Sequence, residues 1–271
     1  MALRILHPAD SPPGASAVPL SEAVTDPASV LTPVPCPTLS DEVVVVLLAD
    51  IAPAWRLWGW WRIMRGARGF IGVPGLRMAK ALGSGFEGGF GLRPSRSRQG
   101  AFVLFDNEAA ADAFIASSAT MSAFRQRSEE LCVAKLRAWS SRGQWGGASL
   151  NPSAPVPLAA QGAVPVVALT RASIRPRKAR DFWRMAPAAQ DALAASPGCW
   201  LAVGLGEAPL LRQATFSLWE SVAAMDAYAR SGAHLEAIRR SQREKHFSES
   251  MFVRFTPVSI QGTWNGTVYE P

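Results

Sequence analysis

TFSLWESVAAMDAYARSGAHLEAIRR, residues 215–240, reads as a strand running into a helix, and AFVLFDNEAAADAFIASSATMSAFRQ, residues 101–126, repeats that pattern without a gap. The shift that pairs Phe216 with Phe102 also pairs Asp226 with Asp112, Ser231 with Ser117 and Arg239 with Arg125. In this register His234 stands opposite Thr120. A duplicated fold with a histidine in one copy predicts that one half carries chemistry the other lacks.

The repeat extends outward from these windows. Each half opens on a β-branched run, VVVVLL at residues 43–48 and VPVVALT at residues 164–170. Each closes on a Gly-x-Trp-x-Gly turn, GQWGG at residues 143–147 and GTWNG at residues 262–266. Two units of about a hundred residues match the usual size of small domains.

The second half predicts a strand over 164–174 and a helix from Pro176 through RKARDFWRMA, proline being tolerated in a first turn. Strands over 199–206 and 211–219 follow, joined by a turn at Glu207, Ala208 and Pro209. A helix then runs from Ser221 to about Ser241, with Ala224, Tyr228, Leu235 and Ile238 near helical spacing, and a strand covers 251–260. This βαββαβ order is the ferredoxin-like unit. The first half gives the same order: strand 43–51, helix 55–65, a weak strand within the Gly- and Arg-rich stretch 66–100, strand 101–105, helix 108–128 and strand 131–139. The expected division is a Pro-rich disordered tail over 1–40, a unit over 41–150, a linker over 151–163 and a unit over 164–266. Two sheets, each covered by helices on one face, bury their remaining faces against each other. The predicted fold is therefore α+β: tandem ferredoxin-like units forming an intrachain dimeric α+β barrel.

Composition narrows the partners. The chain has 271 residues, 48% hydrophobic and 18% charged, with net charge +7 and an isoelectric point near 10.0. Such a balance favours an acidic protein or an anionic membrane surface. Nucleic acid is disfavoured, since no RNP, helix-turn-helix or zinc-finger pattern accompanies the charge. Cys36, Cys132 and Cys199 are far apart and lack metal spacing, which suits free thiols in a reducing compartment. No segment reaches the roughly 20 apolar residues of a membrane span, and MALRILHPAD shows no signal-peptide core. The helix AWRLWGWWRIMR, residues 54–65, combines tryptophans with Arg56, Arg62 and Arg65, and has two readings: peripheral contact with a bilayer, or packing on the sheet.

LTRASIRPRKARDFW, GLGEAPLLRQATFSLW, SGAHLEAIR and GTWNG in the second half resemble the spheroidene monooxygenase family, the carotenoid 2-ketolases of purple phototrophs. RLW at residues 56–58, GSGFEGGF at residues 83–90 and GQW extend the resemblance over essentially everything after residue 40. The Pro-rich tail and the loop GLRPSRSRQ, residues 91–99, depart from it. The resemblance implies a dimeric α+β barrel enzyme that uses haem iron and dioxygen to introduce a keto group at C-2 of acyclic carotenoids. Because the chain has no flavin or nicotinamide fingerprint, electrons would come from a ferredoxin-like donor. It also implies a cytoplasmic location, on the inner (chromatophore) membrane when peripheral. Self-association beyond the internal pairing stays open.

His234 is the candidate haem ligand, since neutral imidazole, with an ordinary pKa near ~6.5, is a common proximal ligand. A surface or core histidine is the alternative. His246, in REKHFSES, and His7, in the tail, read as solvated. Arg239, Arg254 and Arg240 are candidates for the haem propionates, because guanidinium binds carboxylate through two hydrogen bonds. Arg171 interrupts an apolar strand, where a charge is costly unless it faces a ligand or an acid. Glu207, in the GLGEAP turn, is the acid expected to meet it. Gln213 shares a strand face with Thr215, and the pair is expected to line the barrel interior. Arg171, Glu207 and Gln213 are therefore the candidate catalytic residues. Two other readings remain: a cofactor-independent monooxygenase of the same barrel class, and a non-catalytic haem- or polyene-binding protein.

Overall fold

The computed structural model describes residues 39–89, 91, 93–157, 163–208 and 211–270. His7, Cys36 and all but the last two residues of the expected tail lie outside them. The chain order is β1 (Val43–Ile51), α1 (Arg56–Arg65), β2 (Leu76–Gly85), β3 (Pro94–Phe105), α2 (Glu108–Ser117), α3 (Ala119–Arg127) and β4 (Ser128–Gly143). It continues with β5 (Val166–Ile174), α4 (Ala179–Ala194), β6 (Cys199–Ala208), β7 (Arg212–Trp219), α5 (Val222–Ala229), α6 (Gly232–Arg243), β8 (Phe247–Trp264) and β9 (Thr267–Tyr269).

All pairings are antiparallel in the order β4-β1-β3-β2-β6-β7-β5-β8-β9, and β4 also pairs with β8. Eight strands therefore close into a barrel, four from each half. One seam is long: β4 and β8 pair from Cys132 opposite Gly262 to Gly143 opposite Met251. The other is short, with Gly83 opposite Gly206 and Ser84 opposite Leu205, and the Ser84 hydroxyl donates to the Gly204 carbonyl at 2.7 Å.

Strand parity sorts the apolar residues into three layers. Val44, Val46 and Leu48 of β1 point inward with Phe102, Leu136, Val167, Val203, Phe216 and Phe255, a single core drawn from both halves. Each large side chain there contributes about 1.5–3 kcal/mol on burial. Val43, Val45 and Leu47 point outward beneath Phe70, Phe114, Met121 and Phe124. A smaller outer layer in the second half joins Val166 and Trp219 to Leu193 and Met225. Because β1 is buried on both faces, its apolar run is continuous rather than alternating.

The twin turns plug the two barrel ends. Gly143 and Gly262 adopt φ of +84° and +105°, and a Cβ at either would collide with the carbonyl oxygen of Ser250 or Leu131. The following tryptophans, Trp145 and Trp264, are fully buried in the shared core. The turns cross over: the Gly147 N–H, in the first half, donates to Glu249 of the second, and the Asn265 and Gly266 N–H groups donate to Glu130 of the first.

Three local readings change. Each single long helix is two, broken at Ser118 and at Arg230–Ser231. Asn107, Ser118 and Ser221 cap helices by accepting from Ala110, Met121 and Ala224 N–H groups. Because Ser118 and Ser231 are the equivalent caps, His234 corresponds to Met121, one residue beyond Thr120. The loop 91–99 is also largely strand, since β3 begins at Pro94 and carries Arg98 opposite Asp50 of β1.

Candidate active site

Arg171 lies on the interior face of β5 beyond Val167 and Leu169, and is only 3% exposed. Its guanidinium is 3.2 Å from Glu207, also meets Glu249, and sits 5.6 Å from the centre of the Trp145 ring. Glu207 accepts the Trp145 indole N–H at 2.9 Å and lies 3.5 Å from the Lys80 ammonium. Burial pushes the Glu249 carboxyl up, but the Gly147 N–H and Arg171 together hold it below the usual carboxylate range. A buried arginine costs several kcal/mol unless matched by acids and hydrogen bonds; here it meets two carboxylates, with Lys80 beside one of them. Val43 pairs with Phe105 as Val166 pairs with Trp219, so Arg171 occupies the place of Leu48, and by the same register Glu207 that of Ser84. The Arg171–Glu207 pair therefore has no counterpart in the first half, which instead contributes Lys80 and Trp145 to the same cluster. Lys80, Trp145 and Glu249 went unread in the sequence; the only signal was the Trp of the turn.

The outer layer of the second half differs from that of the first in the opposite sense. Where β1 and β3 carry Val45, Leu47 and Val103 toward their helices, β5 and β7 carry Ala168, Thr170 and Ser217. Phe124 on α3 becomes Ala237 on α6 by the cap register. Each exchange removes side-chain bulk, and Ala168, Thr170 and Thr215 remain only half-buried. His234 stands in this layer. Its Nδ1 is 2.9 Å from the Tyr228 hydroxyl, and its ring lies 4.4 Å from the Tyr228 ring, which in turn packs against Trp219 at 5.4 Å. Burial lowers the imidazole pKa, so the ring is neutral at neutral pH. Nε2 has no hydrogen-bond partner among the described residues. Burial also raises the Cys199 and Cys132 thiols to about 11 and about 12, which leaves both protonated and poor as iron ligands.

Gln213 and Thr215 do not line the barrel interior. Ala214, Phe216 and Leu218 do, and the alternate residues of β7 face the helices with Trp219. Arg254 is on the helix side too, 2.8 Å from Asp226 and over Trp139 at 5.4 Å. Arg239 is exposed, with no ion pair among the described residues, whereas Arg240 pairs with Glu244 at 2.8 Å. The candidate residues thus fall into two groups on opposite faces of one sheet: Arg171 and Glu207 inside, Gln213, His234 and Arg254 outside. His246 is not solvated. It is 0% exposed, 3.2 Å from the Ser241 hydroxyl and 3.1 Å from Glu244, because the chain turns back beneath the end of α6. Among the described residues no cluster of three or more His, Cys, Asp or Glu is placed to hold a bare metal ion.

A closed antiparallel barrel built from two ferredoxin-like units in one chain, with a histidine-bearing outer layer in the second unit, defines an intrachain dimeric α+β barrel protein. Solved structures agree on the fold. One aldoxime dehydratase superposes with a TM-score of 0.52 at 11% identity, covering 80% of this chain and 81% of its own. Another, crystallised with butyraldoxime, gives 0.51 at 9% identity over 80% and 79%. No family model matches the chain. The spheroidene monooxygenase of Rubrivivax gelatinosus is 57% identical over 235 residues, 87% of this chain and 90% of the relative. That of Rhodobacter capsulatus is 36% identical over 195 residues, 71% and 80% respectively. The chain belongs to the spheroidene monooxygenase family and is an oxidoreductase of that type.

Proposed function

We propose that this enzyme uses haem and dioxygen to introduce a keto group at C-2 of an acyclic carotenoid, with electrons from a ferredoxin-like donor. The reaction class comes from family membership. The observation that supports the site is His234: a neutral, half-buried imidazole with one nitrogen held by Tyr228 and the other without a partner among the described residues, in a layer stripped of bulk relative to its twin. Haem would supply the iron centre at which dioxygen is reduced.

The chain's own residues then have separable roles. The Tyr228 hydroxyl oxygen, on a phenol that burial keeps protonated, would accept from Nδ1–H, which fixes the ring and leaves the Nε2 lone pair for the metal. Arg239 is free to meet a propionate; Arg254 would have to share its guanidinium with Asp226. Ala168, Thr170 and Thr215 provide a small-residue floor that excludes water and admits an apolar chain, and Gln213 stands at its edge. Arg171 and Glu207, behind the sheet, hold the barrel in shape rather than touch substrate. The basic surface suits an acidic donor protein.

The test is an absorption spectrum of protein made with ample haem, alongside product analysis in cells that accumulate spheroidene. The wild type should show a Soret band and yield the 2-keto product. His234→Gly should lose both, and added imidazole should restore the band. A colourless wild type that still ketolates would make the enzyme cofactor-independent. A coloured one without product would make it a carrier, and an unchanged Soret band in His234→Gly would overturn the ligand assignment.

A further inference from the structure

Leu57, Trp60, Trp61 and Met64 of α1 recur at the i, i+3, i+4, i+7 spacing of a stripe that normally faces a core. Here the stripe faces water: Leu57 is 86% and Met64 82% exposed, and both tryptophans are open to solvent. The inward face carries Gly59 against Ile51 and Gln99. It also carries Arg62, whose guanidinium lies among the rings of Trp58, Phe70 and Phe124 at 5.5, 5.0 and 4.8 Å. Ile71, 80% exposed, extends the apolar surface just beyond the helix.

The surrounding charge is predominantly basic. Between Asp50 and Glu87 the sequence holds no acidic residue, while Arg56, Arg65 and Arg68 surround the stripe. A recess of about 710 Å³ opens beside Trp60, where Arg56, Arg93 and Arg96 outnumber Glu87 and an Asp50 that Arg98 already pairs at 3.4 Å. Arg65 lies over the Trp61 ring at 4.5 Å, its stem along apolar surface and its head outward.

We infer that α1 and the turn after it are a membrane-docking face. Leu57, Trp60, Trp61, Met64 and Ile71 enter the boundary between headgroups and acyl chains, and the flanking arginines meet the phosphates of an anionic bilayer. The helix lies in the interface and does not cross it, being too short and too charged to span. A second copy fits poorly, because self-docking would bring like charges together over residues 51–86. A purely ionic partner leaves the exposed apolar stripe unexplained. Each cation near an anionic surface strengthens adsorption roughly fivefold.

Vesicle flotation tests this, and it needs neither haem nor substrate, so its outcome is independent of the proposed reaction. The full chain is mixed with phosphatidylcholine vesicles with or without phosphatidylglycerol. The wild type should float with the anionic vesicles, and salt should weaken that binding. Leu57→Gln with Met64→Gln should reduce it about tenfold or more with an unchanged thermal melt, since both side chains are solvent-exposed. Brominated acyl chains should quench tryptophan fluorescence in the wild type more than in the double variant. Equal flotation of the double variant, or equal binding to neutral vesicles, would overturn the proposal. So would a wild type that ignores both vesicle types.

Discussion

Removing the Arg171 guanidinium would leave the Glu207 and Glu249 carboxylates at one barrel end without their shared cation. Arg171→Leu should therefore destabilise the protein by about 3–5 kcal/mol in urea unfolding, the usual effect of stripping one partner from a buried ionic cluster. Adding Glu207→Gln and Glu249→Gln should recover much of the loss, because leucine already packs at the equivalent place, Leu48. The same cluster sets a pH response. Glu249 has its folded pKa below the unfolded value near ~4.3, so its stabilising contribution is present above that pH and is lost as pH falls through the folded pKa. Acid unfolding followed by circular dichroism should be steeper in the wild type than in Glu249→Gln. At this scale the sequence made the Arg171–Glu207 meeting legible, because a lone charge in an apolar strand demands a partner. It did not reveal Glu249, which reaches the cluster only through β5–β8 register.

The helices carry the next set of consequences. Ser118→Ala should cost about 1 kcal/mol in urea unfolding, since its hydroxyl accepts from the Met121 N–H at 3.1 Å. Ser231→Ala should cost less, because Ser231 makes no side-chain cap and instead donates to the Ala227 carbonyl. At α1 a Cβ on Gly59 would come within 2.5 Å of Gln99 Nε2 and 3.3 Å of Ile51. Gly59→Val should lift the helix from the sheet and lose about 1–3 kcal/mol by overpacking, visible as a lower melting temperature. The periodicity of residues 221–241 hid the break at Arg230–Ser231, because apolar spacing continues across it while the backbone does not. The consequence is the one-residue shift that puts His234 opposite Met121, which faces a packed core in the first half.

As a whole, the barrel is one core shared by two units, so neither half should fold alone. Residues 39–157 expressed without the remainder would expose Phe102, Leu136 and Val46 on an open sheet face and should aggregate. Co-expressed with residues 163–270 they should form a one-to-one complex on size exclusion, joined through the long β4–β8 seam. Recovery of a soluble, monomeric half would show that the two cores are separable. Hydrogen exchange should be faster at the short β2–β6 seam, where Gly83 and Ser84 meet Leu205 and Gly206, than along β4–β8.

The sequence by itself determined the duplication, the βαββαβ order of each half and the barrel that two such sheets must close, because these follow from local periodicity and from apolar faces that need covering. Its twin Gly-x-Trp-x-Gly turns were equally legible, since their first glycines take a backbone conformation that other residues resist. Tertiary structure alone decided which way each strand residue faces. In strands buried on both sides the apolar run does not alternate, so parity carries no label for inside or outside. That ambiguity is why Gln213 and Thr215 read as interior yet lie under the helices, and why Arg171 and His234 look like neighbours in one site but stand on opposite faces of a sheet. His246, set among charged residues, reads as solvated for a different reason: the turn after α6, which no periodicity marks, buries it completely. The outward stripe of α1 has the same origin as the strand ambiguity: spacing fixes which residues share a helix face, and only the neighbouring sheet fixes which face is left for water or lipid.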